Sequence, residues 1–430
     1  MTRPTRGIAC AVMAACAAGW GAGLRSAEDP PPPEPPALAD RVARFDRFPE
    51  AGSGVDVAGE LVEINHSDRR GGLRLDGNFD LYRYEECPTF RFALLPYCEV
   101  YFHGAPASLA DIPLGTHLHG RFLLPPEGEP PLATFEESEA KIAEKYLPRQ
   151  THGYLLEDDF SFRARRGIAW KVDTVDLEKG KLGLVAVRVK APAAEAAAAE
   201  APAAEGPAAE GPAPETVPTS PPAFEPMVPE ERLTLDIDVA TRIWKGNGGG
   251  VLADLAVGQI VQANLGWTPS WGFRGFHAAD LWLDEESRAA ASERQRRVHV
   301  RHMRHFFVPA FIDHVEHLEG GSGIMTVTPF AGMDQSLYDD ICKKTAVVHP
   351  KAAQRTLRQW RMENHNQYGS VIESERAADP PPGSSGYRLR IKMQRQLLEG
   401  YRTGQIVRIR QARWPNPTHP REMRAIGADP

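Results

Sequence analysis

The chain contains 430 residues, carries a formal net charge of −7 at pH 7 and has a pI of about 6.1. This length suits about two to four domains. The slightly acidic balance excludes a global attraction to nucleic acid or to anionic membranes. The remaining composition, with 42% hydrophobic and 25% charged residues, is typical of a globular protein.

The N-terminus predicts export. Two arginines stand within the first six residues, ahead of an apolar run of small residues from Ile8 to Gly19. Because this run is too short to cross a bilayer, it is typical of a secretory signal peptide and does not predict a transmembrane span. We predict a signal peptide over 1–27 and a Pro-rich, acidic spacer over 28–54. The protein is therefore expected in the periplasm or at the cell envelope.

A ten-residue stretch occurs three times and organises the rest of the chain. The copies are Leu109 to Leu118, Leu252 to Val261 and Leu398 to Val407. Each begins with Leu, has Gly at its seventh position and ends in alternating apolar and polar side chains. Glycine turns the chain without a Cβ penalty, and a period of two indicates a strand with one wet face. Each copy therefore predicts a tight turn that leads into a half-buried strand.

Each repeat also opens in the same way. Leu61 to Asn65, Val172 to Asp176 and Ile312 to Glu316 are strand-like runs, and each leads through a polar or Gly-containing turn into a second strand. Units that open on a hairpin and close on the repeated strand indicate small β-barrels. The fold class predicted is mainly β with connecting helices, built from three tandem small OB-like β-barrels.

Composition sets the boundaries between the units. The predicted order is barrel 1 over 55–126, a helical connector over 127–167, barrel 2 over 168–283, a basic helical connector over 284–306, barrel 3 over 307–415 and a tail over 416–430. Within the first connector, Leu155 to Arg166 is predicted to be helical. Barrel 2 is interrupted over 190–230 by an Ala/Pro/Glu run with little apolar surface, which predicts a disordered insertion.

The repeats resemble a known type of domain. The stretch Gly104 to Asp111, followed by a Gly-led strand, is similar to the small OB-like barrels of unknown function found in bacterial exported proteins. The resemblance covers most of barrels 1 and 2 and only the ends of barrel 3. It implies the fold class and the compartment and assigns no chemistry.

The cysteines agree with an exported protein. Cys16 follows a poor match to a lipoprotein box, so a lipid anchor at this residue is the less favoured alternative. Cys87 and Cys98 lie close together in barrel 1, and an oxidising compartment would favour a disulfide between them across adjacent strands. Metal ligation by this pair is the weaker alternative. Cys342 is expected to be a buried thiol.

The second connector contains the most conspicuous histidine pattern. His299, His302 and His305 are three residues apart, so two of their imidazoles can share a helix face and chelate Zn or Cu. Arginines surround them, and a cationic rim opposes a cation, so a solvated basic helix end is the favoured alternative. The same arginines could bind a polyanionic glycan. Nucleic acid is disfavoured because an exported protein seldom meets it.

Two other groups of side chains have alternative interpretations. Trp267, Trp271, Phe273 and Phe276 could grip sugar rings, although packing at a barrel end is favoured. His117 and His119 share a strand face, but their repeat equivalents are not metal ligands, which argues against a site there. The adjacent pair Asp158-Asp159 is expected to be solvated.

The combined features favour an exported multi-barrel binding or scaffold protein of the cell envelope. The chain has no P-loop, nucleophile elbow, dinucleotide fingerprint or zinc-protease motif, which favours a protein that is not an enzyme and has no cofactor. Its partner would be an envelope protein or a polyanionic glycan. Two alternatives remain: a Zn- or Cu-handling protein that uses the histidine-rich connector, and an enzyme whose site forms between barrels.

Overall fold

The computed structural model describes residues 41–65, 69–76, 88–189, 224–227, 231–267, 275–343, 345–349, 367–394, 398 and 401–414. Their strands are β1 Val55–Asn65, β2 Arg70–Leu75, β3 Phe90–Phe102, β4 Ala105–Pro106, β5 His117–Leu123, β6 His152–Asp158, β7 Ile168–Asp176, β8 Lys181–Val189, β9 Phe224–Pro226, β10 Arg232–Asp236, β11 Arg242–Lys245, β12 Gly248–Gly249, β13 Ile260–Trp267, β14 Phe276–Trp282, β15 Val308–His317, β16 Ser322–Pro329, β17 Thr345–His349, β18 Gln367–Arg376, β19 Tyr387–Gln394 and β20 Ile406–Gln411. Their α-helices are α1 Glu137–Tyr146, α2 Asp159–Ala164, α3 Glu285–Phe306 and α4 Gln335–Ile341. None of the helices in these ranges is long and apolar enough to cross a membrane.

The strands form three barrel-like units, which confirms the predicted fold class. In unit 1, β1 pairs with β2 and β5, β2 pairs with β3, and β6 pairs with β5 and runs parallel to β3. Unit 2 repeats this order with β7, β8, β10, β14 and β13, and here β14 runs parallel to β10. Units 1 and 2 are therefore small β-barrels with the same strand order and one parallel pair each.

Unit 3 reaches closure differently. Its strands follow the order β15-β16-β19-β18-β17-β20, and β20 pairs with β15 to close the barrel. The hairpin formed by β17 and β18 is inserted between the second and third strands and takes the place that the last, parallel strand occupies in units 1 and 2. Unit 3 therefore keeps the repeated beginning and the repeated Gly-led strand, but not the parallel pair.

The three-fold sequence repeat corresponds to one turn conformation. In the first two copies, Leu-Ala-Asp forms a single 3₁₀ turn whose Asp carboxylate accepts a hydrogen bond from the backbone three residues earlier. The glycine that follows is left-handed in all three copies, with φ of 88°, 88° and 81° at Gly115, Gly258 and Gly404. The N–H of each glycine donates over 2.8 Å to the first strand of its unit, at Leu61, Val172 or Ile312. The turn thus fastens the Gly-led strand to the first strand.

Part of the predicted first connector is a strand. Residues His152–Asp158 form β6, so the helix predicted over Leu155 to Arg166 was wrong for its first turn, and only α2 is helical. The predicted boundary of barrel 1 at residue 126 was therefore too early. The physical reason is tertiary: β3 and β5 each present an edge, and pairing with both outweighs the helical propensity of this segment.

The described part of the predicted spacer is packed against the units. Ala43 donates its N–H to the carbonyl of Leu124 over 2.8 Å. The ring of Phe48 lies 4.9 Å from that of Phe311 and 5.6 Å from that of Tyr97. Residues 41–54 therefore anchor the chain at a junction of units 1 and 3, which corrects the prediction for this portion of the spacer. The apolar side chains of this segment lie in a buried cluster that the sequence did not predict.

Several predictions concern residues outside the described ranges. They are the signal peptide, Cys16, the segment 190–223 of the Ala/Pro/Glu run and the tail over 416–430. Each stays a prediction. Residues Phe224–Pro226 of the same run form β9 and pair with β8, so the predicted insertion over 190–230 was wrong for them.

We predict that Gly258→Ala lowers the free energy of unfolding by about 1–2 kcal/mol, because a Cβ is disfavoured at positive φ. A Cβ at this position would contact no other atom within 4 Å, so the cost comes from the backbone alone. Gly249→Ala is the matched control in the same unit, since it also has open space and does not have positive φ. Urea unfolding of both variants checks the prediction, and equal stabilities would contradict it.

Candidate functional site

Two adjacent carboxylates are buried where the chain passes from unit 1 to unit 2. Asp158 ends β6 and Asp159 begins α2, and their exposed fractions are 0% and 1%. The expectation that this pair is solvated was wrong. A buried carboxylate is tolerated only when hydrogen bonds and opposite charges replace its water. Both residues meet this condition through partners from two units.

Asp158 holds three segments of the chain together. One of its oxygens accepts from the N–H of Ser161 over 2.9 Å and so caps α2. The other accepts from the N–H of His103 over 2.9 Å and from the side-chain amide of Asn264, on β13 of unit 2, over 2.8 Å. The amide oxygen of Asn264 in turn accepts from the N–H of Phe160 over 2.9 Å. Burial raises the pKa of Asp158 to about 6, even though these hydrogen bonds act in the opposite direction.

Asp159 faces the two histidines of β5. Its Oδ1 lies 2.8 Å from Nδ1 of His117 and 2.9 Å from Nε2 of His119. The histidines are two residues apart, so both side chains project from one face of the strand. The Oδ2 atom of Asp159 accepts from the backbone N–H of Leu265 in unit 2 over 2.9 Å. Asp159 therefore joins a histidine pair of unit 1 to the backbone of unit 2.

His117 is placed between two carboxylates. Its second ring nitrogen, Nε2, lies 2.8 Å from Oδ2 of Asp76, at the end of β2. Burial alone would lower the pKa of His117, but Asp159 and Asp76 outweigh it and raise this pKa to about 10. Burial would raise the pKa of Asp159, and the two histidines instead hold it well below its usual range. Each ring nitrogen of His117 thus lies within hydrogen-bond distance of a carboxylate oxygen.

Two of the predicted aromatic residues border this cluster. The indole N–H of Trp267 donates to Asp76 over 3.3 Å, and the Trp267 side chain is buried. The ring of Phe276 lies edge-on to that of His117, with 5.2 Å between centroids. Trp271 and Phe273 lie outside the described residues. The side chains of Trp267 and Phe276 therefore pack against the carboxylate-histidine cluster.

A small cleft adjoins the cluster on the side of His119. Its volume is about 160 Å³, and residues lining it include His119, Phe162 and Glu157. The ring of Phe162 stacks on that of His119, with 3.8 Å between centroids. The two arginines that line the cleft are paired with carboxylates, Arg121 with Asp56 over 2.7 Å and Arg166 with Glu157 over 3.1 Å. His119, with 21% of its side chain exposed, is the most accessible of the three clustered residues.

The cluster is also a set of candidate metal ligands. Within the described ranges, the one group of three or more His, Cys, Asp or Glu side chains whose donor atoms lie within 4.8 Å of one another is His117, His119 and Asp159. Sequence reasoning recognised the shared face of the two histidines but not their partner, which follows 40 residues later. The sequence repeat does not indicate a metal site at His117 and His119. The equivalent positions are Ile260 and Gln262 in unit 2 and Ile406 and Arg408 in unit 3.

The histidines predicted to bind metal lie on α3, which packs between the units. His299 is only 4% exposed, and the ring of His302 stacks on that of Phe306 with 4.1 Å between centroids. Burial lowers the pKa of His299 and of His302 to about 4. Within the described part of the chain, the ring nitrogens of His299, His302 and His305 do not all lie within 4.8 Å of one another. Metal binding at the connector stays a prediction.

The predicted disulfide cannot be placed. Cys98 is buried in the core of unit 1, and Cys87 lies outside the described residues. Pairing between them stays a prediction.

Comparison with known proteins identifies no relative. The chain matches no protein-family model, no curated protein and no solved structure.

We predict that acid destabilises the protein through the buried histidines of α3. The ordinary pKa of 6.5 applies in the unfolded chain, and the pKa of about 4 applies to His299 in the folded state, so unfolding takes up a proton between these values. Stability should fall as the pH drops from about 6.5 to about 4, by at most about 3 kcal/mol per histidine. The free energy of unfolding, measured with urea, should change less with pH in this range for His299→Gln than for the unchanged protein. The exposed His314→Gln is the control, and an unchanged slope in His299→Gln would contradict the prediction.

Proposed function

We propose that this protein is an exported scaffold or binding protein of the cell envelope, whose three units are fixed relative to one another by buried junctions. The observation that carries the proposal is the junction around Asp158 and Asp159. Both carboxylates are buried and each accepts a hydrogen bond from unit 2. Separating the units would break these two hydrogen bonds, and a hydrogen bond to a charged group contributes about 1.5–3 kcal/mol.

Units 1 and 3 meet through an apolar junction. Tyr97 and Tyr154 of unit 1 pack with Phe311 and Phe330 of unit 3, and all four are buried. The Tyr97 hydroxyl donates to the carbonyl of Arg44 over 2.9 Å, which ties in the N-terminal segment. Contacts between domains of one chain are ordinarily more polar and allow relative motion. An apolar and aromatic junction supports a fixed arrangement.

Helix α3 contacts all three units. Ser292 donates to the carbonyl of His103 over 2.6 Å in unit 1, and Arg296 lies 3.4 Å from Asp334, which caps α4 of unit 3. The guanidinium of Arg294 lies 5.9 Å from the ring centre of Trp244 in unit 2. Helix α3 therefore connects the three units. Its own stability should depend on their assembly.

The outer face of α3 is the surface proposed to bind the partner. Arg297, Arg301 and Arg304 line an open cavity of about 380 Å³. Arg304 is paired with Asp340 over 3.4 Å and Arg297 with Glu293 over 3.7 Å, and both Arg297 and Arg301 are exposed. A cluster of guanidinium groups on a fixed helix suits a polyanionic glycan or an acidic surface of an envelope protein.

Export is tested with a reporter enzyme that is active only outside the cytoplasm. Residues 1–54 fused to this reporter should give activity, because the signal peptide is expected within 1–27. A fusion of residues 28–54 should give none, and Arg3→Glu with Arg6→Glu should reduce activity of the longer fusion. Equal activity of the two fusions would overturn the proposed compartment.

The fixed junction is tested by Asn264→Ala. This change removes the amide that bonds to both Asp158 and the N–H of Phe160, so we expect units 1 and 2 to separate or move. Gln262→Ala is the matched control, because Gln262 is equally buried on β13 but donates within unit 2, to Ile168. Distances between spin labels in units 1 and 2 should broaden only in Asn264→Ala. A broad distribution in the unchanged protein would contradict the scaffold proposal.

A further inference from the structure

The cluster of His117, His119 and Asp159 has the chemistry of a transition-metal site. Two imidazole nitrogens and one carboxylate oxygen form a mixed set that suits Zn²⁺ and Cu²⁺, whereas Mg²⁺ and Ca²⁺ prefer oxygen ligands alone. The donor atoms already converge from two elements, β5 and the start of α2. A bound ion would therefore not need to order these residues.

Two of the three donor spacings are close to those of an occupied site, and all three donor atoms lie within 4.8 Å of one another. Ligands about 2.0–2.1 Å from tetrahedral zinc lie about 3.3 Å from one another. Oδ1 of Asp159 is 2.8 Å from the His117 nitrogen and 2.9 Å from the His119 nitrogen. An outward shift of about half an ångström, by small rotations of the three side chains, accommodates the ion.

The residues around the donors supply an independent argument. A metal-bound histidine ordinarily donates its other ring N–H to a carboxylate or carbonyl, which fixes the ring. His117 has such a partner in Asp76, 2.8 Å from its Nε2, and Trp267 donates to the same carboxylate. The second oxygen of Asp159 accepts from the N–H of Leu265. Hydrogen bonds to neighbouring residues thus fix the orientation of two of the three donors, His117 and Asp159.

Charge also favours a dication at this position. Asp159 faces both histidines and Asp76 faces His117. Zn²⁺ would displace to solvent the proton between His117 and Asp159, and the two carboxylates would then balance the charge of one divalent cation. The nearest arginines of the adjoining cleft, Arg121 and Arg166, are paired with their own carboxylates. No free guanidinium among those that line the cleft opposes the ion.

We propose that His117, His119 and Asp159 bind one Zn²⁺ ion at the junction of units 1 and 2, with Asp76 positioning His117. Three protein donors leave one place of a tetrahedral shell for water, reached from the cleft beside His119. The ion would add a bond between β5 of unit 1 and the segment that enters unit 2. This inference rests on the proposed scaffold function, because it gives the fixed junction a metal cross-link.

The test uses the full chain, freed of metal with a chelator and then titrated with Zn²⁺. We expect one Zn²⁺ per chain by calorimetry and by elemental analysis after dialysis, and no binding of Mg²⁺. His119→Ala and Asp159→Asn should each lower the affinity at least 10-fold. The double variant His302→Ala with His305→Ala should bind like the unchanged protein, which separates this site from the connector.

Cobalt provides a second measurement that does not depend on the stability of a variant. Co²⁺ bound by two nitrogens and one oxygen in the unchanged protein should give visible bands of a tetrahedral ion without thiolate charge transfer. No Zn²⁺ binding by the folded chain, thiolate charge transfer, or loss of binding only in the connector variant would each overturn the proposal. The spin-label distances of the Asn264 experiment are measured without metal, so a failed metal site and a failed scaffold give different results.

Discussion

The structure depends on the burial of two adjacent carboxylates at the point where the chain leaves unit 1. Asp158 and Asp159 cannot lose their water unless other groups take its place. Unit 1 supplies two histidines and a backbone N–H, and unit 2 supplies Asn264 and the N–H of Leu265. Because neither unit alone satisfies both carboxylates, this segment reaches its final state only when the two units are docked. The polar junction therefore specifies the arrangement of units as well as stabilising it.

The functional features arise where the three units differ from one another. The repeated turn and its glycine bring the Gly-led strand to the same place in each unit. Only unit 1 has histidines in the sequence of that strand, and Asp159 of the following helix reaches back to them. Unit 3 replaces its parallel strand with a hairpin, and its aromatic residues Phe311 and Phe330 face unit 1. A common barrel thus provides three different contact surfaces.

The candidate site illustrates how far local patterns predict a cluster of ligands. The spacing of His299, His302 and His305 places them near one another on a helix, but His299 is buried by packing between the units. The ring nitrogens of the three do not form a group of neighbouring metal donors in the described residues. The spacing of His117 and His119 is equally visible, but their repeat equivalents argue against a site, and the third donor, Asp159, follows 40 residues after His119. A metal site needs donors from several directions, and a single element rarely supplies them.

The sequence by itself determined the features that depend on neighbouring residues. The turns at Gly115, Gly258 and Gly404, the start of α3 at Asp284 and the alternation in the Gly-led strands follow from local backbone sterics and hydrogen bonds. Only the tertiary structure decided that His152–Asp158 is a strand, that residues 41–54 are packed, and that Asp158 and Asp159 are buried. Those outcomes depend on distant partners, such as Asn264 for Asp158 and Phe311 for Phe48, which are 106 and 263 residues away. Pairing with these partners outweighs local propensity, and no local pattern records their position.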